Sequence, residues 1–101
     1  MLAVGPLHHV GIVVPSLEGA LPFWRDALGM RAGEPIEVAG GGVRVQFLES
    51  GDTRIELLEP TDPESGVARF LAARGASTLH HVCFSVTDLP RALAALRDAG
   101  Y

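Results

Sequence analysis

The feature that most constrains this chain is a phrase it uses twice. Leu7-His8-His9-Val10 returns as Leu79-His80-His81-Val82. At one constant offset the two stretches also share Val14 with Val86, Leu17 with Leu89, Ala20 with Ala92 and Leu21 with Leu93. The match continues through Arg25 with Arg97, Asp26 with Asp98 and Ala27 with Ala99. Self-similarity of this kind marks one supersecondary unit used twice. Each copy reads as a strand, a turn and an amphipathic helix. The second His of each pair stands at the same point of its strand, so the fold must relate two equivalent histidines.

Length and composition set the frame for that repeat. The 101 residues suit one domain, and 48% apolar with 20% charged residues is the make-up of a globular chain. A net charge of -4 argues against a nucleic-acid or anionic-membrane surface. No apolar run is long enough to span a bilayer, and the N-terminus does not read as a signal peptide. Cys83 is the only cysteine, so no disulfide framework is expected and a reducing cytoplasm is the natural setting.

Alternation places the elements. Residues 7–14 read as a strand, with Val10, Ile12 and Val14 toward a helix layer and His9, Gly11 and Val13 on an open face. Ser16 is an N-cap, and Leu17, Ala20, Leu21, Trp24, Ala27 and Leu28 form a helical stripe closed by Gly29. Pro22 must kink that helix or mark a late start near residue 21. A weak strand over 31–38 is broken by Pro35, and 39–42 is a turn. Residues 43–48 and 53–59 are strands joined by a Gly51-Asp52 hairpin turn. Val43, Val45 and Phe47 oppose Arg44, Gln46 and Leu48; Ile55 and Leu57 oppose Arg54, Glu56 and Leu58. A short helix around Val67 to Ala72 ends at Gly75. In the second copy Val82, Phe84 and Val86 form the expected core face, and Asp88 caps a helix reaching Ala99.

His9, Glu56 and His81 have metal-ligand chemistry. Two imidazoles and a carboxylate suit a borderline divalent ion. They lie on three separate strands, and the internal symmetry is what could bring them together. The alternative is a pair of half-buried structural histidines, which a duplication would also copy. His8 and His80 fall on the helix-facing side and read as structural histidines. Cys83 shares a face with His81, two residues away. A Cys-His nucleophile there lacks a third group, and a small filler reading is simpler. Gly40-Gly41-Gly42 lacks the Lys-Ser/Thr of a phosphate loop. Glu59, Asp62 and Glu64 read as a solvated acidic edge.

His8-His9-Val10-Gly11-Ile12 with Leu17, Phe23-Trp24 and Leu28-Gly29 resembles the opening of vicinal oxygen chelate proteins, the glyoxalase fold. Three further stretches resemble, as a set, the methylmalonyl-CoA epimerase branch of that family. They are Gly51 to Pro60 (GDTRIELLEP), Val67-Ala68-Arg69-Phe70-Leu71 and Leu79-His80-His81-Val82-Cys83. The resemblance covers essentially the whole chain. It implies an α+β fold of paired βαβββ modules, cupped around a divalent metal. Module one would span about 7–60, a linker helix about 61–76, and a second module, truncated after its helix, about 78–101. The resemblance assigns His9, Glu56 and His81 as metal ligands, with Co the expected ion and Mn, Ni or Zn as alternatives. A fourth ligand, a Glu on the last strand of module two, would lie beyond Tyr101. Some relatives carry a catalytic Glu at the position matching Val45, next to Gln46. The catalytic acid and base are unassigned.

The implied reaction is epimerisation of methylmalonyl-CoA, an acyl-CoA, by removal and return of the proton between thioester and carboxylate. Competing readings are a glyoxalase-type lyase or dioxygenase on the same scaffold, or a non-catalytic ligand-binding module. A chain of this length is expected to bind the ion weakly and to turn over poorly or not at all. It is also expected to form a homodimer, because an unfinished second module would leave sheet edges open.

Overall fold

The computed structural model describes residues 3–75 and 77–101. Ala76, inside the linker expected over 61–76, lies outside the described residues. The elements run β1 (Leu7–Val13), α1 (Leu17–Leu21), a π-helical continuation (Pro22–Ala27), β2 (Arg31–Ala32), β3 (Ile36–Val38), β4 (Val43–Ser50) and β5 (Thr53–Pro60). Then come α2 (Gly66–Arg74), β6 (Thr78–Phe84) and α3 (Leu89–Asp98). One sheet has the order β2-β4-β5-β1-β6, and β3 also pairs with β4. β1 lies parallel to β5 and antiparallel to β6. The first copy of the repeat thus opens a complete βαβββ module, and the second copy sits against it, strand beside strand.

Strand alternation builds a core on each face. Under α1 lie Val14, Leu17, Met30, Leu48 and Leu57, with Ile12, Ala20, Leu21 and Trp24 packed on them. On the other face Val13, Val43, Val45 and Leu58 lie under Val67, Phe70 and Leu71 of α2. Leu48 and Leu57 are fully buried, and burying a Leu contributes about 1.5–3 kcal/mol. The face expected to be open at His9, Gly11 and Val13 is therefore open only at its His9 end.

Pro22 does not delay the helix to residue 21; it breaks the regular α-helical ladder, which continues as a π segment. α1 starts at Leu17, where the Ser16 hydroxyl accepts from the Gly19 N–H at 3.1 Å. Proline has no N–H and its ring crowds the preceding turn, so the helix widens. The Leu28 N–H reaches back to the Phe23 carbonyl at 3.0 Å, a bond spanning five residues. The wider turn rotates the end of the stripe away from the sheet, leaving Ala27 and Leu28 exposed and bringing Met30 into the core.

One expectation about charged side chains changes. Glu59 is not part of a solvated edge. Its carboxylate accepts from the Leu17 N–H at 2.9 Å and from Arg44 at 2.6 and 3.0 Å. A carboxylate there satisfies an orphan donor and complements the helix dipole. Gln46 is buried in the sheet, and its Nε2 donates to the Gly33 carbonyl at 2.8 Å, bridging the break between β2 and β3. Its Oε1 has no partner among the described residues.

The expected core face of β6 does not close. Val82 is 53% and Phe84 48% exposed, and on α3 only Ala92 is buried. The reason is topological: β1 is flanked by β5 and β6, whereas β6 has β1 alone. The radius of gyration is 15.3 Å, against about 13 Å for a compact domain of this length.

Candidate metal centre

Gly11 is the centre of the site. It pairs with Glu56 across the parallel β5 and with His81 across the antiparallel β6. Three adjacent strands therefore deliver their side chains to one spot. A Cβ on Gly11 would collide with the His81 imidazole, so glycine is what lets that ring lie across β1.

The repeated His pairs do more than alternate. Register shifts fall between Leu7 and His9 on β1 and opposite Gly11 and Ile12 on β6. His8 and His80 are the extra residues of two bulges related by the repeat. A bulge breaks alternation and turns neighbouring side chains toward one face. His8 Nδ1 lies 2.8 Å from His9 Nδ1, and His80 Nδ1 lies 2.8 Å from His81 Nδ1. The expectation that both His8 and His80 face the helix layer changes for His8, which is exposed, whereas His80 does meet a helix, α2. Both stand beside the second His of their pair, and His80 also packs edge-on against Phe70 with ring centroids 4.7 Å apart.

His9, Glu56 and His81 converge. His9 Nε2 and His81 Nε2 are 3.0 Å apart, and Glu56 Oε1 lies 3.5 Å from the first and 3.1 Å from the second. Their side chains are 12%, 14% and 31% exposed. With metal–donor bonds of about 2.0–2.2 Å and angles near 90–110°, donors sit about 2.8–3.6 Å apart. All three edges fall in that range, so the triangle fits a single ion and leaves positions open on the solvent side. Burial lowers the His9 pKa; Glu56 opposes this, while His81, His8 and Arg54 add to it. His9 is accordingly neutral at pH 7, the form that ligates a metal. With a proton on either Nε2 the same contacts are hydrogen bonds among the three side chains; with both lone pairs turned inward they form a donor set for a cation.

Other groups near the centre have other duties. Val45, at the position where the resemblance implied a catalytic Glu, is buried between Val13 and Leu58. Glu49 is held by Arg54 at 3.0 Å and Arg31 at 3.1 Å, and these hydrogen bonds lower its pKa. It is ionised and engaged. Cys83 is a half-buried free thiol opposite His9, and its Sγ lies with donor atoms of His8 and His9 within 4.8 Å. Arg54 was not singled out by sequence reasoning. It lines a cavity of about 230 Å³ with His8, His9 and Thr53, and reaches the His8 carbonyl at 3.4 Å. Its position two residues before Glu56, on the same strand face, was the available signal. Nothing local marked the bulges.

Known proteins share this architecture. The sequence profile of the glyoxalase/bleomycin resistance protein/dioxygenase superfamily matches residues 8–101. An ethylmalonyl-CoA/methylmalonyl-CoA epimerase of Cereibacter sphaeroides is 40% identical over 97 residues, covering 96% of this chain and 72% of that protein. The mitochondrial methylmalonyl-CoA epimerase of Bos taurus is 39% identical over 95 residues, covering 94% and 54%. The chain spans about half the length of the mammalian relatives it matches. Among solved structures, the methylmalonyl-CoA epimerase of Mycobacterium tuberculosis superposes with a TM-score of 0.88 at 33% identity, over 99% of this chain and 69% of that one. A Streptomyces coelicolor methylmalonyl-CoA epimerase in complex with 2-nitronate-propionyl-CoA also gives 0.88, at 29% identity over 97% and 72%. The chain belongs to the glyoxalase/bleomycin resistance protein/dioxygenase superfamily.

Proposed function

We propose that this member of the superfamily is a metal-dependent isomerase that epimerises methylmalonyl-CoA. The observation that carries the reading is the triangle of His9, Glu56 and His81, whose edges suit one divalent ion. Relatives named as epimerases of this acyl-CoA supply the substrate class. Co is the proposed ion, with Mn, Ni or Zn as alternatives of the same borderline class. Bound there, the ion would act as a Lewis acid toward the negative charge that develops on the substrate as its C–H ionises.

The chain's own residues prepare that chemistry. Gly11 clears the space His81 crosses, and β5, β1 and β6 hold the three donors in register. Arg54, ion-paired with Glu49 at 3.0 Å, lines the cavity at His8 and His9 together with Asp52. Removal and return of the proton on opposite faces require two further groups; Val45 has no ionisable group, and Glu49 is held by Arg31 and Arg54.

No helix among the described residues is long and apolar enough to cross a membrane. With one free cysteine, the proposed setting is the cytoplasm. The uncovered β6 and α3 supply an edge and an apolar surface for a homodimer, tested by sedimentation velocity. A monodisperse, cooperatively folded monomer would remove that part.

The function is tested by following incorporation of solvent deuterium at the α-carbon of methylmalonyl-CoA by NMR. Co-loaded protein should catalyse exchange, while EDTA treatment or His81→Ala should abolish it. Equal exchange by metal-free protein would overturn the assignment.

A further inference from the structure

We propose that His8 and His80 are positioning residues that fix the orientation and tautomer of the two metal-binding imidazoles, through hydrogen bonds created by the twin β-bulges. The inference rests on the metal reading of His9, Glu56 and His81. It assigns a role to the two histidines that this reading leaves over.

The geometry is the same in both copies. Each outer ring meets its neighbour edge-on, with centroids 5.1 Å apart and interplanar angles of 79° and 83°. Each pair is joined Nδ1 to Nδ1 at 2.8 Å. In each pair the inner ring turns its Nε2 to Glu56 Oε1. A neutral imidazole has one N–H and one lone pair. If Nε2 offers its lone pair to an ion, Nδ1 carries the proton. The inner Nδ1–H then donates, and the outer Nδ1 accepts. His8 and His80 consequently carry their own proton on Nε2.

A regular strand could not make this contact, because consecutive side chains point to opposite faces. The bulge supplies the contact, and the extra residue in each case is the histidine that accepts. His80 is itself seated against Phe70, whose ring also carries the Arg74 guanidinium 5.7 Å from its centroid. The second copy's outer histidine is therefore steadied by α2. Such outer-sphere partners typically change metal affinity about 10–100-fold when removed.

Asn and Leu separate the hydrogen bond from the shape. The Asn Oδ1 stands as many bonds from Cα as the His Nδ1 and can accept; a Leu methyl at that place cannot. The experiment titrates Co(II) into the full chain, following the visible d–d absorbance, for the parent, His8→Leu, His80→Leu, His8→Asn, His80→Asn and His81→Ala. Both Leu variants should bind about 10–100-fold more weakly, and both Asn variants should recover most of that loss. Leu variants that bind like the parent, or Asn variants no better than Leu, would overturn the proposal. If the parent binds no Co(II), or His81→Ala binds as tightly as the parent, the metal reading fails and takes this inference with it. Nitrogen-15 NMR of the Zn-loaded parent reads the same point without mutation. The expected result is a proton on Nδ1 of His9 and His81, and a proton on Nδ1 of His8 or His80 contradicts it.

Discussion

Leu17 and Leu89 hold the same position in the two copies of the repeated unit, and they are 3% and 61% exposed. Val10 and Val82 differ in the same sense: the first is half-buried, the second 53% exposed. Yet the two histidine pairs make the same internal contact, Nδ1 to Nδ1 at 2.8 Å. The two histidine pairs depend on the β1–β6 ladder, which both copies supply, while Glu56 comes from β5 alone. The core depends on what lies beyond each strand, and only β1 has β5, β4 and the meander behind it. Site symmetry and packing symmetry are therefore separable in this fold.

The largest effect should come from testing that asymmetry. Leu17→Ala removes a buried side chain and should destabilise the protein by about 2–5 kcal/mol. Leu89→Ala, the same change in the second copy, should stay within about 0.5 kcal/mol. Urea unfolding of both variants checks this, and equal losses would mean that the second copy has a core of its own.

Gly11 and Cys83 are also equivalent positions. Gly11→Ala pushes a Cβ into the His81 ring and should cost about 1–3 kcal/mol, with loss of metal affinity. Cys83→Ala should be near neutral in stability. Calorimetric unfolding with and without Co(II) distinguishes them; a neutral Gly11→Ala would show that His81 does not need that space.

The helix caps come next. Ser16 accepts from the Gly19 N–H and Asp88 from the Arg91 N–H, each at 3.1 Å. Either change to Ala should cost about 1 kcal/mol. In hydrogen exchange the loss at Ser16 should weaken protection across the sheet, because α1 covers the core. The loss at Asp88 should stay within α3, and spread from it into β5 would contradict the comparison.

The smallest effect is in pH. Burial is the main cause that lowers the pKa of His9 and of His80 from the ordinary 6.5; Glu56 opposes it at both, and His81 adds to it. The unfolded chain then binds protons that the native state does not. This contribution is fully present above pH 6.5 and is lost as the pH falls through the lower native values. The urea midpoint of metal-free protein should drop over that window, and less so in His9→Asn; a midpoint that rises on acidification contradicts the sign.

Much of this was legible in the sequence. Alternation separated Ile55 and Leu57 from Glu56, and the repeat pointed to His9 and His81 as a pair. What escaped were features that depend on tertiary partners. Whether Val82 is core depends on a neighbouring strand, not on its own alternation. The role of Glu59 depends on Arg44 and the start of α1 arriving beside it. The bulges at His8 and His80 are register shifts between strands, invisible to any one strand's pattern. Pro22 signals a kink or a late start, and the π turn found there keeps Leu17 and Trp24 on either side of it packed in the core.

The most direct measurement is Co(II) titration of the parent with X-ray absorption on the loaded protein. The expected result is one ion per chain, with two imidazole nitrogens and one carboxylate oxygen from the protein at about 2.0–2.2 Å. His9→Ala should remove a nitrogen from that shell and weaken binding. Absence of binding, or a shell unchanged in His9→Ala, would contradict the convergence of His9, Glu56 and His81 on one ion.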